Sequence, residues 1–337
     1  MKDNLVARSL AFSLLCISIV ACCFWCTAAN GQLRTGLTAV RDTSYTSYSA
    51  YISARRHNPA IKLVKAFHYA DVRKEMDIVY RTIGTRELLI DVFTPTQQGT
   101  ARTAVIMIHG GGWRSGSRTQ HYPMAERLAH LGYVCFTPEY RLSTEALFPA
   151  SVYDIKAAIR WVRVHASAYH VDTSRIVIAG FSSGGEMAAF MATTGDMPLF
   201  DGPGANPRVS TEVDALIDID GILTFTGPES GESTDTTGRI SAGTYWLGYN
   251  EKQNPGLWIA ASPLTYVSAR TPPTLFVNSS VARMHAGRDA YISMLSRYHV
   301  YTEVHHFDDA PHSFPLFYPW FDPMMDDIDG FLRKVFP

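Results

Sequence analysis

Eight short apolar runs, at residues 76–80, 88–93, 104–108, 133–136, 176–179, 215–219, 274–277 and 301–307, constrain this chain more than any other feature. Several central runs are continuously apolar instead of alternating, as strands covered on both faces must be. Helical spacing lies between them. It is clearest over 150–166, where Val152, Ile155, Ile159, Val162 and Ala166 recur every three or four residues behind Pro149. Strands alternating with helices predict an α/β fold, with one doubly wound, mostly parallel sheet and helices on both faces. Residues 221–262, rich in Gly, Ser, Thr, Trp and Tyr, break that rhythm and are expected to form an insertion above the sheet. Residues 30–70 are polar and aperiodic, which predicts a tether and lead-in before a domain over 71–337.

The balance of 46% hydrophobic and 18% charged residues over 337 positions excludes a disordered chain. With 30 Lys+Arg against 31 Asp+Glu there is no basic field for a phosphate backbone, so nucleic acid is not an expected partner. Lys2 and Arg8 precede an apolar stretch at 10–25 and the small residues Thr27, Ala28 and Ala29, the layout of an export signal over 1–29. The stretch is short for a membrane span, so no transmembrane domain is expected. Ile19-Val20-Ala21-Cys22 also resembles a lipoprotein box, with a lipid anchor at Cys22 as the competing outcome. The expectation is an exported protein, whether periplasmic, anchored in the outer membrane or extracellular. Cys135, in the apolar run 133–136, reads as a buried, inert thiol.

The chemistry concentrates at two strand ends. Gly180-Phe181-Ser182-Ser183-Gly184-Gly185 follows the apolar run 176–179 and precedes a helix-compatible stretch. Strand, tight turn and helix are the context in which Gly-x-Ser-x-Gly lifts a serine hydroxyl above a sheet, with free N–H groups at the helix start. His109-Gly110-Gly111-Gly112-Trp113 closes the run 104–108, whose strand should lie beside that of Ser182. Bare glycines let backbone N–H groups face a reacting carbonyl oxygen. His109 reads as a hydrogen-bonding residue beneath this loop, and His305 and His306 as structural residues of opposite strand faces. No metal or cofactor is expected.

With these motifs the chain resembles the α/β-hydrolases of the His-Gly-Gly-Gly-Trp carboxylesterase type, through Pro138-Glu139-Tyr140-Arg141-Leu142 and the helix at 154–161 as well. The resemblance implies an eight-stranded sheet, a Ser182 nucleophile, and an oxyanion hole from the N–H groups of Gly111, Gly112 and Ser183. It also implies a base from the loop after the last strand, where His312 stands in Ala310-Pro311-His312-Ser313-Phe314. The acid departs from the family pattern, because Asn278-Ser279-Ser280 fills its usual place. Asp289 and Asp220 are the two candidates, with Asp289 slightly favoured.

A narrower likeness runs through Asp220-Gly221-Ile222-Leu223, His285-Ala286-Gly287-Arg288-Asp289 and Pro319-Trp320-Phe321 to secreted bacterial carbohydrate esterases, including serine-type pectin methylesterases. It implies a methyl, acetyl or feruloyl ester carried by plant polysaccharide, or a small ester, as substrate. Trp113, Arg283, Arg288 and Trp258 are the expected substrate-binding residues, with Tyr245 and Trp246 as further stacking surfaces. The guanidinium groups would suit uronate carboxylates. The competing readings are a serine peptidase and a non-catalytic carbohydrate-binding protein on a hydrolase scaffold.

Overall fold

A computed structural model describes residues 36–97, 99 and 101–337 of the chain. The export signal expected over 1–29, with the anchor at Cys22, lies outside them. Ten strands occur among the described residues: β1 (Lys62–Leu63), β2 (Val72–Ile83), β3 (Arg86–Pro95), β4 (Arg102–Ile108), β5 (Val134–Pro138), β6 (Val171–Phe181), β7 (Ala215–Ile219), β8 (Thr274–Asn278), β9 (Thr302–His306) and β10 (Phe317–Tyr318). Strands β2 to β9 form one eight-stranded sheet in the order β2-β3-β5-β4-β6-β7-β8-β9. The first three pair antiparallel, and every neighbour from β5 onward is parallel. This is the α/β-hydrolase arrangement, and each of the eight apolar runs supplies one strand.

The continuous runs divide between two cores, as side chains alternate across the pleat. Ala104, Ile106 and Ile108 of β4 face the helices α3 (Ala150–Val164), α4 (Ser183–Thr194) and α7 (Arg288–Arg297). Val105 and Met107 face α2 (Tyr122–His130) and the C-terminal α8 (Phe321–Val335) on the other side. A central strand therefore has no solvent face, and its sequence shows none.

Two segments differ in detail from the sequence reading. Residues 36–70 are not a free tether: they carry α1 (Ser47–Ala54) and β1, which pairs with β10. Ala50, Ile61 and Val64 are buried against Phe317 and Met324 in the second core. A capping box at Thr46 and Ser49 starts α1, yet only Ala50 of that helix is buried, so no helical period marks it. The insertion between β7 and β8 holds α5 (Ala242–Leu247) and α6 (Pro255–Ala261) and packs an aromatic core of its own, with Phe225 and Trp246 against Trp113. No helix among the described residues is long and apolar enough to cross a membrane.

Candidate active site

Where β6 turns into α4, Ser182 takes φ 59° and ψ −124°, a conformation that a side chain rarely adopts. The turn is held because the Ser182 amide donates to the Ile219 carbonyl of β7 at 2.9 Å, and because α4 begins directly beneath β4. A Cβ at Gly184 would strike the carbonyl oxygen of Ile108. Gly184→Ala is accordingly expected to lower unfolding stability by about 3 kcal/mol, measured by urea denaturation. A loss below about 1 kcal/mol would contradict the close approach of α4 to β4.

Three side chains converge at this bend. The Ser182 hydroxyl donates to His312 Nε2 at 2.8 Å, and His312 Nδ1–H donates to Asp220 Oδ2 at 2.9 Å. That tautomer follows from the partner, since both Asp220 oxygens act as acceptors, Oδ1 taking the Ser279 amide at 2.8 Å. Asp220 is fully buried, whereas the His312 side chain is 26% exposed and open to the cavity beside it. His285 lies 3.9 Å from Asp220 Oδ1, and burial holds its imidazole below the ordinary histidine value.

Asp289 is therefore corrected as the acid. It sits in the first turn of α7 with a side chain 85% exposed, bonded to Arg288. Arg288 also donates to Asn278 Oδ1 at 2.9 Å, so the residue in the usual acid position holds an arginine instead. The carboxylate comes from one strand earlier. β7 and β8 end side by side, with the Asp220 amide donating to Val277 O at 3.0 Å, and from there Asp220 reaches the histidine.

The glycine loop lies across the same point. Gly111 has φ 130°, and a Cβ there would strike the Ser115 carbonyl, so only glycine fits. Gly112 and Trp113 follow at 61° and 58°. No hydrogen bond among the described residues uses the Gly111 or Gly112 amide, and the Ser183 amide is one of the free donors of a helix start. All three residues line a cavity of about 300 Å³ together with Ser182 and His312. His109 lies buried under the loop, stacked on Tyr140, and burial lowers its pKa to about 3. It is a neutral support for the loop.

Trp113 fixes the loop to the serine helix, its indole N–H donating to Glu186 Oε2 at 2.8 Å. Burial pushes the Glu186 carboxyl well above its ordinary value of 4.5, and buried Asp218 nearby adds to this. A raised folded-state pKa means that the folded chain holds more protons than the unfolded one. The stability this contributes is full below the ordinary carboxylate value and is lost as pH rises through the raised one. Glu186→Gln keeps an acceptor for Trp113 but cannot ionise. Its melting temperature, relative to the native chain, should rise as the pH is raised above the ordinary carboxylate range. A flat or falling difference in calorimetry would contradict this.

Of the residues expected to bind substrate, Trp113 and Arg283 line the cavity. Trp258 does not: it is fully buried, its N–H donating to Tyr249 O at 2.8 Å. Arg288 is occupied by Asn278 and Asp289, Trp246 is buried in a stack with Trp113, and Tyr245 lies under the Arg114 guanidinium. Sequence reasoning missed Tyr45 and Glu232, which both line the cavity. Tyr45 comes from the segment read as a tether, its amide held by Ser115 Oγ at 2.9 Å and its hydroxyl 3.5 Å from Ser313 Oγ beside the histidine.

Among known proteins, the chain is 32% identical over 193 residues to the esterase LipQ of Mycobacterium tuberculosis, covering 56% of this chain and 45% of that one. LipM of the same organism, a probable carboxylic ester hydrolase, is 30% identical over 208 residues, covering 61% and 47%. The chain thus spans about half the length of the curated relatives it matches. A propionate-bound esterase 2 of Thermogutta terrifontis superposes with a TM-score of 0.64 at 25% identity, over 78% of this chain and 94% of the other. A truncated carbohydrate esterase from gut microbiota superposes at 0.65 with 21% identity, over 80% and 99%, a likeness of fold. Residues 90–284, more than half of the chain and including both Ser182 and the glycine loop, match the BD-FAE family. The chain belongs to the BD-FAE family, an esterase family of the α/β-hydrolase fold.

Proposed function

We propose that this protein is an exported serine esterase that hydrolyses carboxylic esters of carbohydrates through an acyl-enzyme. The observation that carries the reading is His312, hydrogen-bonded at once to Ser182 and to buried Asp220. As Ser182 Oγ bonds to the ester carbonyl carbon, its proton passes to His312 Nε2, and Asp220 steadies the imidazolium. The carbonyl oxygen takes the developing charge against the amides of Gly111, Gly112 and Ser183. Collapse breaks the carbon–alcohol bond, and His312 returns the proton to the departing alcohol. Water then attacks the acyl-serine with His312 as base, releasing the acid and restoring the hydroxyl.

The curated relatives bear esterase names, which supports this reaction type. The polar cavity lining from Tyr45, Glu232 and Arg283, with the likeness of residues 220–223, 285–289 and 319–321 to carbohydrate esterases, supports a sugar-bearing substrate. The composition of residues 1–29 supports export, and the N-terminal residue of the mature protein, Asn30 or a lipidated Cys22, distinguishes the two processing routes. Purified protein should release p-nitrophenol from p-nitrophenyl acetate and acid from at least one of acetylated xylan, feruloylated arabinan and methylated pectin. No turnover of any of the four would reject the proposal.

A further inference from the structure

The cavity that holds Ser182 and His312 also holds one acidic and one basic side chain, Glu232 from the insertion and Arg283 from the loop after β8. Glu232 Oε2 accepts the Gly243 amide at 2.9 Å, which fixes the carboxylate. Its Oε1 lies 3.5 Å from Arg283 Nη1, beyond ordinary hydrogen-bond length. The two charges therefore balance each other while each keeps open hydrogen-bonding capacity toward the cavity. The side chains are 12% and 51% exposed, so the acid is sheltered and the guanidinium stands at the mouth.

We infer that Glu232 and Arg283 form a hydroxyl-binding subsite for adjacent hydroxyls of a neutral sugar that carries the scissile ester. A hydroxyl both donates and accepts, so one can donate to Glu232 Oε1 while its neighbour accepts from Arg283. Each half of the pair supplies what the other cannot. A uronate carboxylate only accepts. It would have to share a guanidinium already compensated by Glu232 and would meet a second anion beside it. With Arg288 bonded to Asn278 and Asp289, the cavity lining has no uncompensated guanidinium for that ligand among the described residues. The inference rests on the esterase reading and adds to it the two side chains that hold the sugar beside the scissile ester.

The test compares kcat/KM for three probes: a monoacetylated methyl xyloside, the methyl ester of a galacturonate oligomer, and p-nitrophenyl acetate, whose leaving group has no adjacent hydroxyls. In Glu232→Gln and in Arg283→Met, turnover of the acetyl xyloside should fall about ten-fold more than that of p-nitrophenyl acetate, chiefly through KM. The native protein should favour the xyloside over the galacturonate ester, and Glu232→Gln should narrow that preference. A xyloside-to-phenyl ratio unchanged within about two-fold in both variants would overturn the subsite, as would a native preference for the galacturonate ester. Turnover of p-nitrophenyl acetate by each variant shows that it is folded. A native protein that turns over none of the probes would reject the esterase reading itself, a separate result.

Discussion

Ser182→Ala is expected to lower kcat on p-nitrophenyl acetate by about 10⁶-fold, to a level set by cavity binding and backbone donors alone. The magnitude follows from what the hydroxyl does. In the proposed mechanism it is the atom that bonds to carbon, it stands 2.8 Å from His312 Nε2, and the thiol among the described residues, Cys135, is buried in β5. Alanine fits the space, so KM should move little while kcat collapses. The φ of 59° is as unfavourable for alanine as for serine, so stability should hardly change. Retention of more than about a hundredth of native kcat would mean that another group attacks the ester.

Asp220→Asn should cost about 10⁴-fold in kcat, and Asp289→Asn less than about three-fold. The amide of asparagine can offer a donor where Asp220 Oδ2 accepted, which favours the imidazole tautomer with its proton on Nε2. That tautomer cannot accept the Ser182 proton. Asp289 makes no such contact, being exposed and bonded to Arg288. The pair of variants separates the two carboxylates by three powers of ten or more. Similar losses in both, or a greater loss at Asp289, would refute the geometry described here.

What could be read from sequence was what depends on near neighbours. The apolar runs state that both faces of a strand are covered, and the bend at Ser182 requires only its flanking glycines and the helix that follows. The acid depends on which strand ends abut, a property of register: Asp220 and Asn278 end adjacent strands, and only packing decides which reaches His312. Tyr45 and Glu232 enter the cavity from segments with no period, Tyr45 through a long-range contact to Ser115 and Glu232 through a contact to Gly243 within the insertion. The aromatic residues of the insertion were misread for a related reason. Trp246 and Trp258 were expected as surfaces for substrate, yet both are fully buried because the insertion packs on Trp113 and Phe225.

The most direct test of the triad is mass mapping after treatment with a fluorophosphonate, whose phosphorus reacts with an activated serine as an ester carbonyl would. A single adduct is expected, on the peptide containing Ser182, forming far more slowly in His312→Ala and absent in Ser182→Ala. An adduct on another residue in an enzyme that still hydrolyses esters, or undiminished labelling when His312 is removed, would contradict the account.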